Sequence, residues 1–229
     1  VGTGVDGVRH TSMNNMYYGQ FATNGGTLYK EHERQFYINM QQLLSYNRTF
    51  AGLHNVDLLL GHETYSRTTT SVAGYKTKLF SDTNLELGGA VIDGQQASSS
   101  LSQYNYEGYF IRAQYDYASR VFVSGSFRRD ASSRFHKDHR WGNFWSAGAG
   151  WLINNEPWFG APWVDMLKLK ASIGSQGNDG IPDYLYTDTY EISNNEGEVA
   201  VAFRSKGNPD ITWETNLNFN TGVDVELFG

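Results

Sequence analysis

Apolar and polar residues alternate with a period of two along much of this chain, and the longest run, Trp213 to Phe228, sets the scale of the elements. Its odd positions read Trp213, Thr215, Leu217, Phe219, Thr221, Val223, Val225 and Leu227. Its even positions read Glu214, Asn216, Asn218, Asn220, Gly222, Asp224 and Glu226. Successive side chains of a strand point to opposite faces, so the run predicts a single strand, apolar on one side and polar on the other. At ~3.3 Å per residue it would reach ~50 Å, well beyond the ~5–6 residues of a usual globular strand.

The same signature recurs. Tyr109, Ile111, Ala113, Tyr115 and Tyr117 alternate with Arg112, Gln114 and Asp116; Val121, Val123, Gly125 and Phe127 alternate with Ser124, Ser126 and Arg128. Leu167, Leu169, Ala171 and Ile173 face away from Lys168, Lys170 and Ser172, and Trp145, Ala147, Ala149, Trp151 and Ile153 form a further apolar row. Weaker strands are expected around Phe36–Tyr46 and Val56–Thr64. Two architectures give such rows: a soluble sandwich, whose apolar faces meet in a core, and a membrane barrel, whose apolar face meets lipid.

The connections favour the barrel. Only a tight turn fits between Tyr117 and Val121. Polar loops are expected from Asp130 to Arg140 and from Gln176 to Ile211, with a shorter link after Ile153. Alternating short turns and long loops is the habit of outer-membrane barrels. Trp141, Trp145, Trp151, Trp158, Trp163 and Trp213 cluster where strands end, as an interfacial aromatic belt requires.

Composition agrees. Tyr 15, Phe 13 and Gly 25 against Pro 4 favour strands and turns. No apolar run approaches the ~18 residues of a membrane helix, but a spanning strand needs only ~9–11. A net charge of −6 provides no basic stripe for nucleic acid, and the absence of cysteine excludes disulfide and thiol chemistry.

Five stretches carry a family resemblance. They are Phe127-Arg-Arg-Asp-Ala-Ser-Ser-Arg-Phe135, Arg140-Trp-Gly-Asn-Phe144, Leu167-Lys-Leu-Lys-Ala-Ser-Ile-Gly-Ser-Gln-Gly-Asn178, Gly207-Asn-Pro-Asp-Ile-Thr-Trp-Glu-Thr215, and the Phe50 to Glu63 hairpin. In order and spacing they resemble the SusC/RagA-type TonB-dependent transporters, with Ala131 where that family usually has glycine. The resemblance implies an all-β fold in which residues 1–229 supply about seven antiparallel strands of a larger, 22-strand transmembrane barrel. The plug domain and the remaining strands would lie outside this chain. It implies active import of an oligosaccharide or peptide across the Gram-negative outer membrane, a SusD-like surface lipoprotein as partner, energy from the TonB complex, and no cofactor. A soluble β-sandwich carbohydrate-binding module and a passive porin are the alternatives.

Candidate chemistry is sparse. The motif residues Arg128, Asp130, Ser132, Ser133, Arg134, Phe135, Gly174, Gly177, Asn178, Asn208, Pro209, Trp213 and Glu214 read as structural, because mixed charges at a strand end pair with one another. His136, Asp138 and His139 lack a third ligand at metal spacing. No nucleophile elbow, P-loop or His-Glu-x-x-His occurs, so no catalytic residue is expected. Ligand contacts, if made, are expected from long-loop residues: Tyr75, Tyr184, Tyr186, Tyr190, Asn194 and Asn195, rings stacking on sugar faces and amides meeting hydroxyls.

Overall fold

A computed structural model describes residues 1–228, of which residues 93–96 are described by their backbone alone. The described residues form ten strands: β1 (Gly2–Asn14), β2 (Thr27–Phe50), β3 (His54–Leu79), β4 (Ala90–Tyr117), β5 (Val121–Ser132), β6 (Trp141–Leu152), β7 (Val164–Asn178), β8 (Thr189–Asn195), β9 (Glu198–Ser205) and β10 (Glu214–Leu227). Eight form one sheet in the order β1-β2-β3-β4-β5-β6-β7-β10, and β8 and β9 form a separate hairpin. All registers described are antiparallel.

The sequence reading counted about seven strands. β1 adds the eighth to the sheet, and the β8–β9 hairpin folds inside a segment expected to be loop. β2, β3 and β4 also run far beyond their apolar stretches, to 24, 26 and 28 residues. Polar extensions of this kind lose the one-sided alternation that marks a strand in sequence.

Two connections at one set of strand ends are tight turns, while the third there, residues 153–163, is longer than the 133–140 loop at the other set and breaks the alternation expected from the sequence. Tyr117 passes to Val121 through Ala118 (φ 53°) and Ser119 (φ 54°), closed by Arg120 N–H donating to Tyr117 O at 2.9 Å. Phe50 turns through Ala51 (φ 50°) and Gly52 (φ 68°) in the same manner. Positive φ at both central residues matches the right-handed twist of the flanking strands, as in a type I′ hairpin. The connections at the opposite strand ends, residues 133–140 and 179–213, are longer.

The chain divides into two compact units, Val1–Asn39 with Tyr65–Tyr104, and Met40–Thr64 with Asn105–Gly229. The first has a small core in which Leu28, Leu79 and Ala90 are buried against Met13, Met16 and Leu87. In the second, Phe135, Phe144 and Ala131 are buried, while most large apolar side chains of the strands stay exposed, among them Phe127, Leu217, Phe219 and Val225. A sheet with its apolar face uncovered over several strands is not a soluble core.

Candidate functional site

Register makes the two faces of the second unit continuous from strand to strand. Phe127 pairs with Ile111 and Trp145, Ala147 with Ile173, and Ile173 with Phe219, so the odd positions of β4, β5, β6, β7 and β10 share the apolar face. Ser126 pairs with Arg112 and Ser146, and Lys170 with Gly222, so the even positions share the polar one. On that polar face Lys170 Nζ donates to both carboxylate oxygens of Asp224 at 2.6 and 2.8 Å.

The apolar face is bordered by aromatic rows. At one border Tyr109 stacks near Trp141 (6.3 Å), and the Arg129 guanidinium lies 5.1 Å over the Trp141 ring. At the other, Trp151 meets Trp158 at 6.2 Å and Trp163 stacks on Phe228 at 6.2 Å. Trp141 pairs with Ala131 and Trp151 with Val121, so ten residues separate the rows along β5. That is ~33 Å of strand, or ~25 Å of height at a tilt of about 40°, the thickness of the apolar band of an outer-membrane barrel.

Between the two rows, close to that of Trp141, the polar face carries a cluster around Arg128. Its Nε donates to Asp130 at 2.8 Å and its Nη2 to Glu63 Oε2 at 3.0 Å. The Tyr106 hydroxyl accepts from both nitrogens, and the Phe110 ring lies 5.0 Å beneath the guanidinium. Gly61 makes this possible, since a Cβ there would overlap the Phe110 ring. Two carboxylates and a phenol thus engage the Nε and Nη2 side of the guanidinium, and a ring lies against its face.

The next residues of the motif tie two loops together. Ser132 Oγ donates to Asp179 Oδ2 (2.7 Å), Arg134 Nε to Asp183 Oδ1 (3.1 Å) and Arg134 Nη1 to Asp179 O (2.9 Å). Ser133 exchanges two bonds with Asn105, its N–H donating to the carbonyl and its Oγ accepting from Asn105 N–H, each 2.9 Å. Phe135 is fully buried, 5.4 Å from the Trp213 ring, which in turn lies 5.3 Å from Phe144 and donates its Nε1–H to Arg140 O at 2.8 Å. Gly177 leaves room for the Phe144 ring, and Gly174 sits opposite Ser146 where a Cβ would press on the Trp145 carbonyl. Asn178 donates to Glu214 at 3.0 Å, and Asn208, before Pro209, caps a turn through Asp210 N–H at 3.1 Å. We name this assembly the loop clasp. It joins residues more than forty positions apart, such as Ser132 and Asp179, and no local signal reveals those pairings.

The residues expected to contact ligand are dispersed. Tyr75, expected near a loop tip, lies inside β3 and belongs to the first unit. Tyr190, Asn194 and Asn195 lie on β8 rather than in loop. Tyr184, at φ 65°, and Tyr186 lie between β7 and β8, with Tyr186 edge-on to His136 at 6.0 Å. Register puts Tyr190, Ile192, Asn194, Val199, Val201 and Phe203 on one face of the hairpin, with Asn195 on the other. Most of the first face is apolar and exposed, which the sequence reading missed although Tyr190-x-Ile192 and Val199-x-Val201-x-Phe203 alternate. The first unit contributes a second aromatic group: Tyr37 stacks near Tyr65 (6.2 Å), Tyr65 lies 6.0 Å from Tyr104, and Arg67 sits 5.6 Å over Tyr104. Among the described residues no group of His, Cys, Asp or Glu is placed to hold a metal ion.

Comparison with known proteins matches residues 4–229 to the family model "TonB dependent receptor-like, beta-barrel". TonB-dependent receptor P39 of Formosa agariphila is 29% identical over 228 residues, covering 90% of this chain and 20% of that protein. TonB-dependent receptor SusC of Bacteroides thetaiotaomicron is 32% identical over 125 residues, 51% of this chain and 12% of SusC. The chain thus spans about a fifth or less of the length of these curated relatives. Among solved structures, the RagAB peptide transporter superposes with a TM-score of 0.88 at 24% identity, covering 99% of this chain and 26% of that one, a likeness of fold. The RagAB peptide importer in its open-open state superposes with a TM-score of 0.84 at 25% identity.

Proposed function

Because this chain belongs to the TonB-dependent receptor-like β-barrel family, we propose that it forms part of the wall of an outer-membrane importer that takes up an oligosaccharide or peptide with energy supplied through TonB. One observation carries the reading. The sheet's exposed apolar face is bounded by two aromatic rows ~25 Å apart, the dimension of the lipid-facing band of such barrels. The apolar face then meets lipid and the polar face, with Lys170, Asp224 and the serines of β5 and β6, lines the lumen. The tight turns at Ala51 and Ala118 are periplasmic, and the loop clasp and the β8–β9 hairpin are extracellular.

In this reading the motif residues do not touch cargo. They hold the loops after β5 and β7 in one position, so that rings such as Tyr184, Tyr186 and Tyr190 stand at fixed places for stacking, and Asn194 and Asn195 for hydrogen bonding to hydroxyls or peptide groups. Tyr75 serves as a further contact. RagAB is described as a peptide importer, and a peptide or an oligosaccharide both suit aromatic and amide-bearing loops. A SusD-type surface lipoprotein closes the extracellular mouth, and parts of the receptor outside this chain engage TonB.

Uptake by cells expressing the full-length receptor tests this. Accumulation of labelled oligosaccharide or peptide pools is expected to stop when TonB is deleted or the proton gradient is collapsed. Uptake that persists without energy would make the protein a passive porin. A receptor recovered in the soluble fraction without detergent would leave a β-sandwich binding module as the better reading.

A further inference from the structure

The β8–β9 hairpin leaves a strand edge open and unguarded. Its two-residue turn, Glu196 (φ 53°) and Gly197 (φ 96°), lies between Asn195 and Glu198, which pair across it. A turn of this kind closes on a hydrogen-bonded pair, and such pairs alternate with non-bonded ones along an antiparallel ladder. Val199, Val201 and Phe203, opposite Asn194, Ile192 and Tyr190, fall in the non-bonded pairs. Their N–H and C=O groups therefore point away from β8. Among the described residues, no backbone hydrogen bond from another element reaches that edge. The side chains beside it are open as well: Val199 is 77% and Phe203 58% exposed. Natural edges are usually blunted by proline, lysine or a bulge, and residues 198–203 contain none of these.

Charge marks the two ends of this edge differently. The register steps from Thr189 opposite Ser205 to Tyr190 opposite Phe203, which makes Arg204 the extra residue of a bulge. Exposed Arg204 and Lys206 thus stand where the regular edge stops, and Asp188 at the same end accepts from Gly207 N–H at 2.8 Å. Exposed Glu196 and Glu198 stand at the turn. From Glu198 to Arg204 is ~20 Å of extended chain. β8 has no cation, and its only charge is Glu191. An occupant that matches the β9 edge brings its own row of N–H and C=O groups at strand spacing, apolar side chains at alternate positions, a cation at one end and an anion at the other. An oligosaccharide has no such row. A short peptide with free termini has all of these.

We propose that the outer edge of β9 binds an extended peptide of about seven residues as an added strand, its ammonium at Glu198 and its carboxylate at Arg204 and Lys206. Backbone bonds to Val199, Val201 and Phe203 supply affinity that does not depend on the peptide's sequence, and their exposed side chains select apolar neighbours on it. The termini set the direction. β9 runs from Glu198 to Arg204, so the peptide lies parallel to it, although a parallel ladder is slightly weaker per residue. The inference rests on the importer reading for its cargo and narrows that cargo to peptide.

The test uses the full-length receptor in lipid vesicles, with a free-ended heptapeptide of alternating valine and serine as the probe and calorimetry as the readout. Val201→Pro removes an outward N–H and leaves the ladder to β8 whole, as an edge position allows. It lowers affinity at least about tenfold, through one missing bond and an unsatisfied peptide carbonyl. Ile192→Pro, the matching change on the outer edge of β8, leaves affinity within about twofold. Arg204→Gln with Lys206→Gln lowers it about tenfold, at about threefold per exposed pair, and has no effect on binding of the C-terminal amide of the probe. Equal affinity of wild type and Val201→Pro, or an equal loss in Ile192→Pro, overturns the edge assignment. So does a Val201→Pro defect confined to oligosaccharide binding or to capture of the surface lipoprotein. Equal binding of the free-ended and amidated probes by wild type overturns the assigned direction and with it the proposal. Energised uptake of the same peptide, measured in parallel, separates the two readings. Binding that behaves as expected without TonB-dependent uptake sinks the importer reading and leaves the site standing, whereas uptake with binding unchanged in Val201→Pro sinks the site alone.

Discussion

Replacing Phe135 with alanine isolates the loop clasp from the barrel wall. Phe135 is fully buried, in ring contact with Trp213 at 5.4 Å, and Trp213 is itself braced by Phe144 and by its bond to the Arg140 carbonyl. A buried Phe→Ala change costs about 3–5 kcal/mol, the loss of transfer free energy plus a cavity that neighbours fill only in part. The Trp213 ring cannot collapse into that space while its Nε1–H remains on Arg140 O, so the upper half of the range applies, about 4–5 kcal/mol. Because Phe135 lies beyond the end of β5, this energy falls on local opening of the clasp and leaves the strand ladder intact. The amides of Ser132 and Ser133, which donate to Arg140 O and Asn105 O, report that opening directly. Hydrogen exchange of the full-length receptor in lipid vesicles is expected to accelerate by about three decades at these two amides, since each ~1.4 kcal/mol is a factor of ten. At Phe127 and Ser126, in the ladder below, it should change less than about threefold. Phe135→Leu, which keeps most of the volume, should cost about 1.5 kcal/mol and one decade. Unchanged protection at Ser132 and Ser133, or equal acceleration along all of β5, would refute the clasp as a separate unit of stability.

Three further outcomes follow from the geometry. Arg128→Met leaves Asp130 and Glu63 side by side without their cation. With Arg128 about one-third exposed, the usual ~3–5 kcal/mol for breaking a buried pair falls to about 2–3 kcal/mol. A urea midpoint in vesicles should show it, with much of the loss restored by adding Asp130→Asn and Glu63→Gln. Ala118→Gly relieves a positive φ of 53° that alanine adopts poorly and should raise stability by about 0.5–1 kcal/mol in the same titration. Phe219→Arg sets a cation in the lipid band and should cost about 2–4 kcal/mol, while Asn218→Arg, one residue away on the lumen face, should cost under about 1 kcal/mol. Equal costs at the two positions would deny the face assignment.

Much of the fold was legible because a membrane-facing strand must show its sidedness along the chain. β10 was bounded in sequence as Trp213–Phe228 and forms Glu214–Leu227, and the apolar rows of β5, β6 and β7 fall where the structure places them. β1 was missed because its residues, Gly2 to Asn14, form no continuous apolar row on either face. The same lack of a one-sided row hid the first-unit lengths of β2, β3 and β4. The β8–β9 hairpin was legible in principle, from its alternation and the Asn195-Glu196-Gly197 turn, but its length is small against the loop that contains it. Of the site, the motif residues were found and their partners were not. The bonds from Ser132 to Asp179 and from Arg134 to Asp183 join separate loops, and only the register of β5, β6, β7 and β10 brings those loops together.

The central claim is that one face of this sheet meets lipid and the other meets water. Single cysteines introduced from Asn216 to Val225 in the full-length receptor, in a background without other reactive thiols, test it most directly. Labelling in intact outer-membrane vesicles with a water-soluble maleimide is expected to alternate. Asn216, Asn218, Asn220 and Asp224 should react, and Leu217, Phe219, Val223 and Val225 should stay protected until detergent disperses the lipid. Equal labelling of both sets in intact vesicles would contradict a barrel wall, and the strands would then belong to a water-exposed sheet.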